Sequence, residues 1–182
     1  IGVRLVGSEM CIRDRSERKQ KIMKILALDS SGLVAGVALI QDDVLIAEYT
    51  TDYKKTHSQT LLPMLDEISN MTELDLSTID AIAVAGGPGS FTGLRIGSAT
   101  AKGLGLALEK PLISIPTTAA IAYNIWDTDK FVCPIMDARR NQVYTGVYCY
   151  TDHRLDTVWE QDTMSIEALA ELSLIHILRC RR

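Results

Sequence analysis

From Met23 onward the chain alternates short apolar runs with turn residues, and each run has the length of a strand or the spacing of a helix face. Lys24–Ser30 (KILALDS) is apolar and ends on Asp29; Gly36–Gln41 and Val44–Thr50 follow, separated by Asp42-Asp43, a pair that favours a hairpin turn. Three antiparallel strands are expected there. Thr56-x-x-Gln59 fits a capping box, and Leu61, Leu62, Leu65, Ile68 and Met71 then make one apolar helical face. Pro63 lies inside that helix without an N–H to donate, which predicts a kink or a late start.

Ala81–Ala85 reads as a buried strand, Gly86–Ser90 as a tight loop and Gly93–Glu109 as a long helix. Leu112–Ile115 is a further strand, and Pro116-Thr117-Thr118 opens a helix reaching to about Trp126. The order β-β-β-α-β-α-β-α predicts an α/β fold, a mixed sheet with helices packed on it. From Phe131 the pattern restarts, with strands over Val132–Asp137, Val143–Tyr150 and Leu155–Glu160, a turn around Arg139–Asn141, and a helix over Ile166–Leu172 for which Ser165 is the cap. Two β-β-β-α units, each with an Asp closing its first strand (Asp29, Asp137), suggest duplicated halves. The expected division is 23–128 for the first half and 129–172 for the start of a truncated second.

The two ends break this pattern. Ile1–Arg15 and Ser173–Arg182 resemble translated sequencing-adapter sequence, so residues 1–22 and 173–182 are read as artefactual extensions that pack on nothing. A signal peptide would need an apolar stretch and a small-residue cleavage site, and the N-terminus has neither. The distinction matters for charge. The whole chain has 19 basic and 23 acidic residues, but the stretch between the ends keeps ten basic and 20 acidic, near −10. Binding the nucleic-acid backbone alone calls for a basic patch, so direct nucleic-acid binding is not expected. No apolar run approaches the ~20 residues that cross a bilayer, and a cytoplasmic protein is expected. Cys133 and Cys149, without CxxC spacing and in strand-like surroundings, read as buried free thiols.

Chemistry is sparse. Gly86–Arg95 (GGPGSFTGLR) joins a strand to a helix in the manner of an anion-binding loop, yet it lacks the Gly-Lys-Ser/Thr of a Walker A loop and has one residue too many for the dinucleotide fingerprint. Asp29-Ser30-Ser31-Gly32 is a second phosphate-site candidate, although Asp and Ser also bond their own backbone in turns. His57 heads its helix, but the positions where a second metal ligand would stand hold Thr60 and Leu61. No metal site is expected. Gly-x-Ser-x-Gly is absent, which leaves a serine hydrolase unsupported.

Lys24–Ser31 (KILALDSS), His57–Pro63 (HSQTLLP), Gly86–Gly97 (GGPGSFTGLRIG), Lys102-Gly103-Leu104, Ser114–Thr118 (SIPTT) and Met136–Tyr144 (MDARRNQVY) together resemble the TsaB (YeaZ) family. The resemblance implies an actin-like (ASKHA) fold of two halves. It further implies a non-catalytic scaffold that works with TsaD and TsaE to make N6-threonylcarbamoyladenosine at position 37 of tRNAs reading ANN codons. No cofactor of its own is implied, ATP and metal being expected on the partner subunits; Asp29, Ser30 and Ser31 would be a vestigial phosphate site. The TsaD-like pattern has two helix histidines four residues apart; here His57 is followed by Leu61, a departure from the enzyme. The rival reading is an actin-like ATPase or metalloprotease-like enzyme acting alone.

Gly93, Gly97, Ala101 and Gly105 recur every four residues and leave a strip without side-chain bulk on one helix. Such a strip admits a close helix neighbour or a close sheet. On the scaffold reading, His57, Leu61, Leu65, Ile68, Gly93, Gly97, Ala101 and Gly105 are the expected interface with TsaD, and with a second copy of the chain in a homodimer.

Overall fold

A computed structural model describes residues 22–52 and 57–176, with side chains up to Glu171. Thr56, the expected cap, and most of the two ends lie outside these residues. The first sheet has the order β3-β2-β1-β4-β5, built from β1 (Lys24–Asp29), β2 (Ala35–Gln41), β3 (Val44–Thr51), β4 (Ala81–Gly87) and β5 (Leu112–Pro116). β1, β2 and β3 form an antiparallel meander, and β4 and β5 join it in parallel. The hairpin falls where the aspartate pair placed it: Gln41 pairs Val44, and Asp42 takes a left-handed φ of 52°.

The pleat sends successive side chains to opposite faces, and the register sets large apolar side chains in rows on the face that the helices cover. Leu39, Leu26 and Ile82 make one row across three strands; Val37, Leu28 and Val84 make the next. Against these rows lie α1 (His57–Met71), through Leu61, Met64, Leu65 and Ile68, and α2 (Phe91–Leu108), through Gly93, Gly97, Ala101 and Gly105. α1 runs without a break through Pro63. The opposite face is floored by the small row Ala38, Ala27 and Ala83.

β1 is pinned at its start by two carboxylates. Asp42 Oδ1 accepts from the Met23 amide at 2.9 Å and Asp80 Oδ2 from the Lys24 amide at 2.9 Å. α2 begins on a capping hydroxyl, Ser90 Oγ accepting from the Gly93 amide, and closes on Glu109 in the left-handed region at φ 54°.

After β5, α3 (Thr117–Ala122) leads to a second, antiparallel sheet of β6 (Ile135–Arg139), β7 (Gln142–Thr151) and β8 (Arg154–Ser165). Several boundaries differ from the sequence reading. α3 stops at Ala122 rather than near Trp126, and Tyr123 and Trp126 instead stack at 5.7 Å beyond it. β6 starts at Ile135 because Pro134 has no N–H for the ladder, so Val132 makes only an isolated bridge to Tyr148. β8 runs five residues past Glu160, to Ser165. Ser165 caps α4 (Ile166–His176), accepting from the Ala168 amide at 3.1 Å. α4 therefore continues into the stretch read as an artefactual tail, and the rest of that tail lies outside the described residues. Cys133 and Cys149 are free and only half-buried.

The two sheets are joined through Thr118. Its Oγ1 donates to Gln161 Oε1 at 2.9 Å, so its lone pairs are left to accept from the Tyr148 hydroxyl at 2.7 Å, all of it beside buried Ala122 and Val132. Thr118→Val keeps the shape and leaves the Tyr148 hydroxyl buried without a partner. A loss of about 1–3 kcal/mol is expected for an orphaned buried group, measured by urea unfolding.

Candidate functional site

Three segments far apart in sequence meet at the carboxyl end of β1. Asp29 Oδ1 accepts from the Ser31 amide at 2.8 Å, which folds the Asp29–Gly32 turn back on itself. The turn places Ser30 on α2, where its Oγ donates to the Gly93 carbonyl at 2.9 Å. Ser31 O accepts from the Ser90 amide at 2.7 Å, and His57 Nε2 donates to Gly32 O at 3.0 Å. One turn is thereby held by the head of α1, the head of α2 and the loop before α2.

The glycines of that loop are there because backbone meets backbone. A Cβ on Gly89 would land on the Ser31 carbonyl, and one on Gly93 on the Ser30 carbonyl. Turn and loop thus touch directly, backbone on backbone. Ser30 and Ser31 are 2% and 4% exposed, and the Ser30 hydroxyl and the Ser31 amide and carbonyl are committed to internal bonds. Against the phosphate-contact expectation, the Ser30 hydroxyl is bonded to α2, the Ser31 carbonyl to the cap residue of α2 and the Ser31 amide to Asp29. Asp29 alone is exposed, at the edge of an open cleft of about 310 Å³ on the alanine face of the sheet. Among the described residues that line the cleft, the charged ones are two carboxylates, Asp29 and Glu48.

The expected interface residues also face inward. Leu61, Leu65 and Ile68 are 1–4% exposed in the chain's own core, Gly93, Gly97, Ala101 and Gly105 are buried, and His57 is half-buried on Gly32. Residues consumed by their own sheet cannot anchor a partner helix, so the periodic strip is internal packing. What α1 and α2 turn outward is a different set: Leu62, Met71, Phe91, Leu106, Arg95 and Lys102. Phe91 and Leu106 are 75% and 84% exposed, and the Arg95 guanidinium lies 5.4 Å from the centre of the Phe91 ring. Leu62 and Met71, read from the sequence as part of the apolar face of α1, are exposed instead, and the lone apolar Phe91 and Leu106 on the outer face of α2 carry no periodic signal. Among the described residues no group of three or more His, Cys, Asp or Glu could hold a metal ion, and no helix is long and apolar enough to cross a membrane.

The chain matches the family model "TsaD: tRNA N6-adenosine threonylcarbamoyltransferase" over residues 45–178. It is 41% identical over 136 residues to the tRNA threonylcarbamoyladenosine biosynthesis protein TsaB of Bacillus subtilis, covering 75% of this chain and 59% of that protein. It is 33% identical over 156 residues to TsaB of Escherichia coli, covering 85% of this chain and 65% of that protein. The chain thus spans about three-fifths of the length of these curated relatives. Among solved structures, YeaZ from Pseudomonas aeruginosa superposes with a TM-score of 0.71 at 30% identity, covering 80% of this chain and 68% of that one. With the meander, parallel β4 and β5, the glycine loop and the head-to-head α1 and α2 all in place, the chain belongs to the TsaB (YeaZ) family and has its actin-like fold.

Proposed function

We propose that this protein is the non-catalytic partner of TsaD in forming N6-threonylcarbamoyladenosine at position 37 of tRNAs that read ANN codons. It acts in the cytoplasm, with TsaE as a further partner, and contacts tRNA only within the complex. The observation that carries the reading is the outward face of α2, where Phe91, Arg95, Lys102 and Leu106 stand in solvent on a helix whose other side is fixed to the sheet. Large apolar side chains beside charged ones, on a rigid element, are what a protein interface uses. In the absence of TsaD the same face serves a homodimer.

Support against an ATPase acting alone comes from the first turn. The Ser30 hydroxyl is spent on the Gly93 carbonyl and the Ser31 amide on Asp29, so neither is free to meet a phosphate. ATP and metal belong, on this reading, to the partner subunits. The test is co-expression with the TsaD of the same organism. A stable stoichiometric complex is expected, and two proteins that elute separately at micromolar concentration would defeat the proposal.

A further inference from the structure

The small-residue strip has no place in the partner interface, and Ser30 shows what it does instead. We propose that Ser30 is a positioning residue for the partner-binding face of α2: its hydroxyl takes the room that Gly97 leaves, so α2 keeps its seat on the sheet only while position 97 has no side chain. The inference rests on the reading above that the outward face of α2 binds TsaD.

The geometry is that of a knob in a slot. Ser30 Oγ donates to Gly93 O at 2.9 Å, one turn before Gly97, and a Cβ on Gly97 would stand 2.5 Å from that same oxygen. The hydroxyl lies in the slot left by the missing side chain of Gly97. No atom from any other element comes as near to the Gly97 position: the next contacts are Val84 Cγ2 at 3.6 Å and Ser30 Cβ at 3.9 Å, both ordinary packing distances. A methyl at Gly97 therefore conflicts with one oxygen atom and nothing else. That oxygen can yield only by surrendering its bond to Gly93, or α2 must lift. Arg95, Ala99 and Lys102 stand on the outer side of the same turns, where they line a shallow depression with Phe91. A lift of the inner side displaces this outer side as well.

The consequence is a pattern that ordinary destabilisation does not produce. Gly97→Ala is expected to weaken TsaD binding about tenfold, a lift of the helix having the cost of a modest overpacking. Ser30→Ala alone, which empties the slot but leaves Gly97 its room, is expected to change affinity less than about threefold, a hydrogen bond's net worth being small. In the double variant the new methyl faces only Val84 and the alanine Cβ, and affinity is expected to return to within about threefold of the parent. Contacting residues couple in this way.

Titration calorimetry of the four proteins against TsaD tests the inference, with Val37→Ala as a control that thins the core beneath the helices without touching the slot. Amide hydrogen exchange along 93–101, measured without partner, gives a second readout: faster in Gly97→Ala and restored in the double variant. The inference is overturned if Gly97→Ala binds as the parent does, if the double variant fails to recover, if Val37→Ala loses as much affinity as Gly97→Ala, or if exchange does not follow the same order. Phe91→Ala separates the two readings. If it leaves binding intact, the outward face is not the interface and the proposed surface fails, while exchange still decides whether Ser30 positions the helix.

Discussion

Gly93→Ala is expected to be the most damaging single methyl in the first sheet's layer of helices. Its Cβ would fall on the carbonyl of Ser30, which is backbone in a turn held by Asp29, Ser90 and His57, and the His57 ring stands 3.3 Å away on the other side. At Gly97 the obstacle is one hydroxyl that can be deleted. At Gly93 there is no side chain to delete. Overpacking against a fixed backbone belongs at or above the upper end of the usual cost, about 3 kcal/mol, a large part of the stability of a domain this size. Urea unfolding followed by circular dichroism should show the midpoint falling well below that of Gly97→Ala, with no rescue by Ser30→Ala. A Gly93→Ala protein as stable as the parent would mean that α2 does not rest on the Asp29–Gly32 turn.

The second large effect concerns binding. Leu106 is 84% exposed, and placing a carboxylate there costs the free protein almost nothing, surface changes generally falling within about 0.5 kcal/mol. Buried in an interface, the same carboxylate would be desolvated without a partner. Leu106→Asp is therefore expected to fold like the parent and to bind TsaD more weakly by about 2–4 kcal/mol, the range of a central contact residue, or roughly thirty- to a thousandfold. Phe91→Ala should act in the same direction by a smaller amount, because truncation removes area without burying a charge. Native mass spectrometry and calorimetry would read both. Unchanged affinity in Leu106→Asp would move the interface off this end of α2.

These expectations show where sequence reasoning reached and where it stopped. The hairpin at Asp42-Asp43, the mixed sheet, the helix after GGPGS and the cap at Ser165 all follow from local chemistry, because turn residues and periodicity act within a few positions. The strip from Gly93 to Gly105 was equally visible, but periodicity reports that one face is small and not what lies against it. The answer depended on Ser30, 63 residues away, arriving through the parallel pairing of β1 with β4. The same limit misplaced Leu61, Leu65 and Ile68: an apolar stripe looks alike whether it meets its own sheet or a partner. For Ser30 and Ser31 the motif marked the turn, and only the distances revealed that the Ser30 hydroxyl and the Ser31 amide and carbonyl are already in use.

The measurement closest to the centre of this account is reconstitution of tRNA modification with TsaD and TsaE from the same organism, together with the threonylcarbamoyl-adenylate donor. The product, N6-threonylcarbamoyladenosine, is counted by mass spectrometry of digested tRNA. The account predicts product only when this protein is added, undiminished product with Asp29→Ala, and a sharp loss with Leu106→Asp that excess protein restores. Full product without the protein, or activity that vanishes with Asp29→Ala while the complex still forms, would contradict a scaffold and point to chemistry carried by this chain.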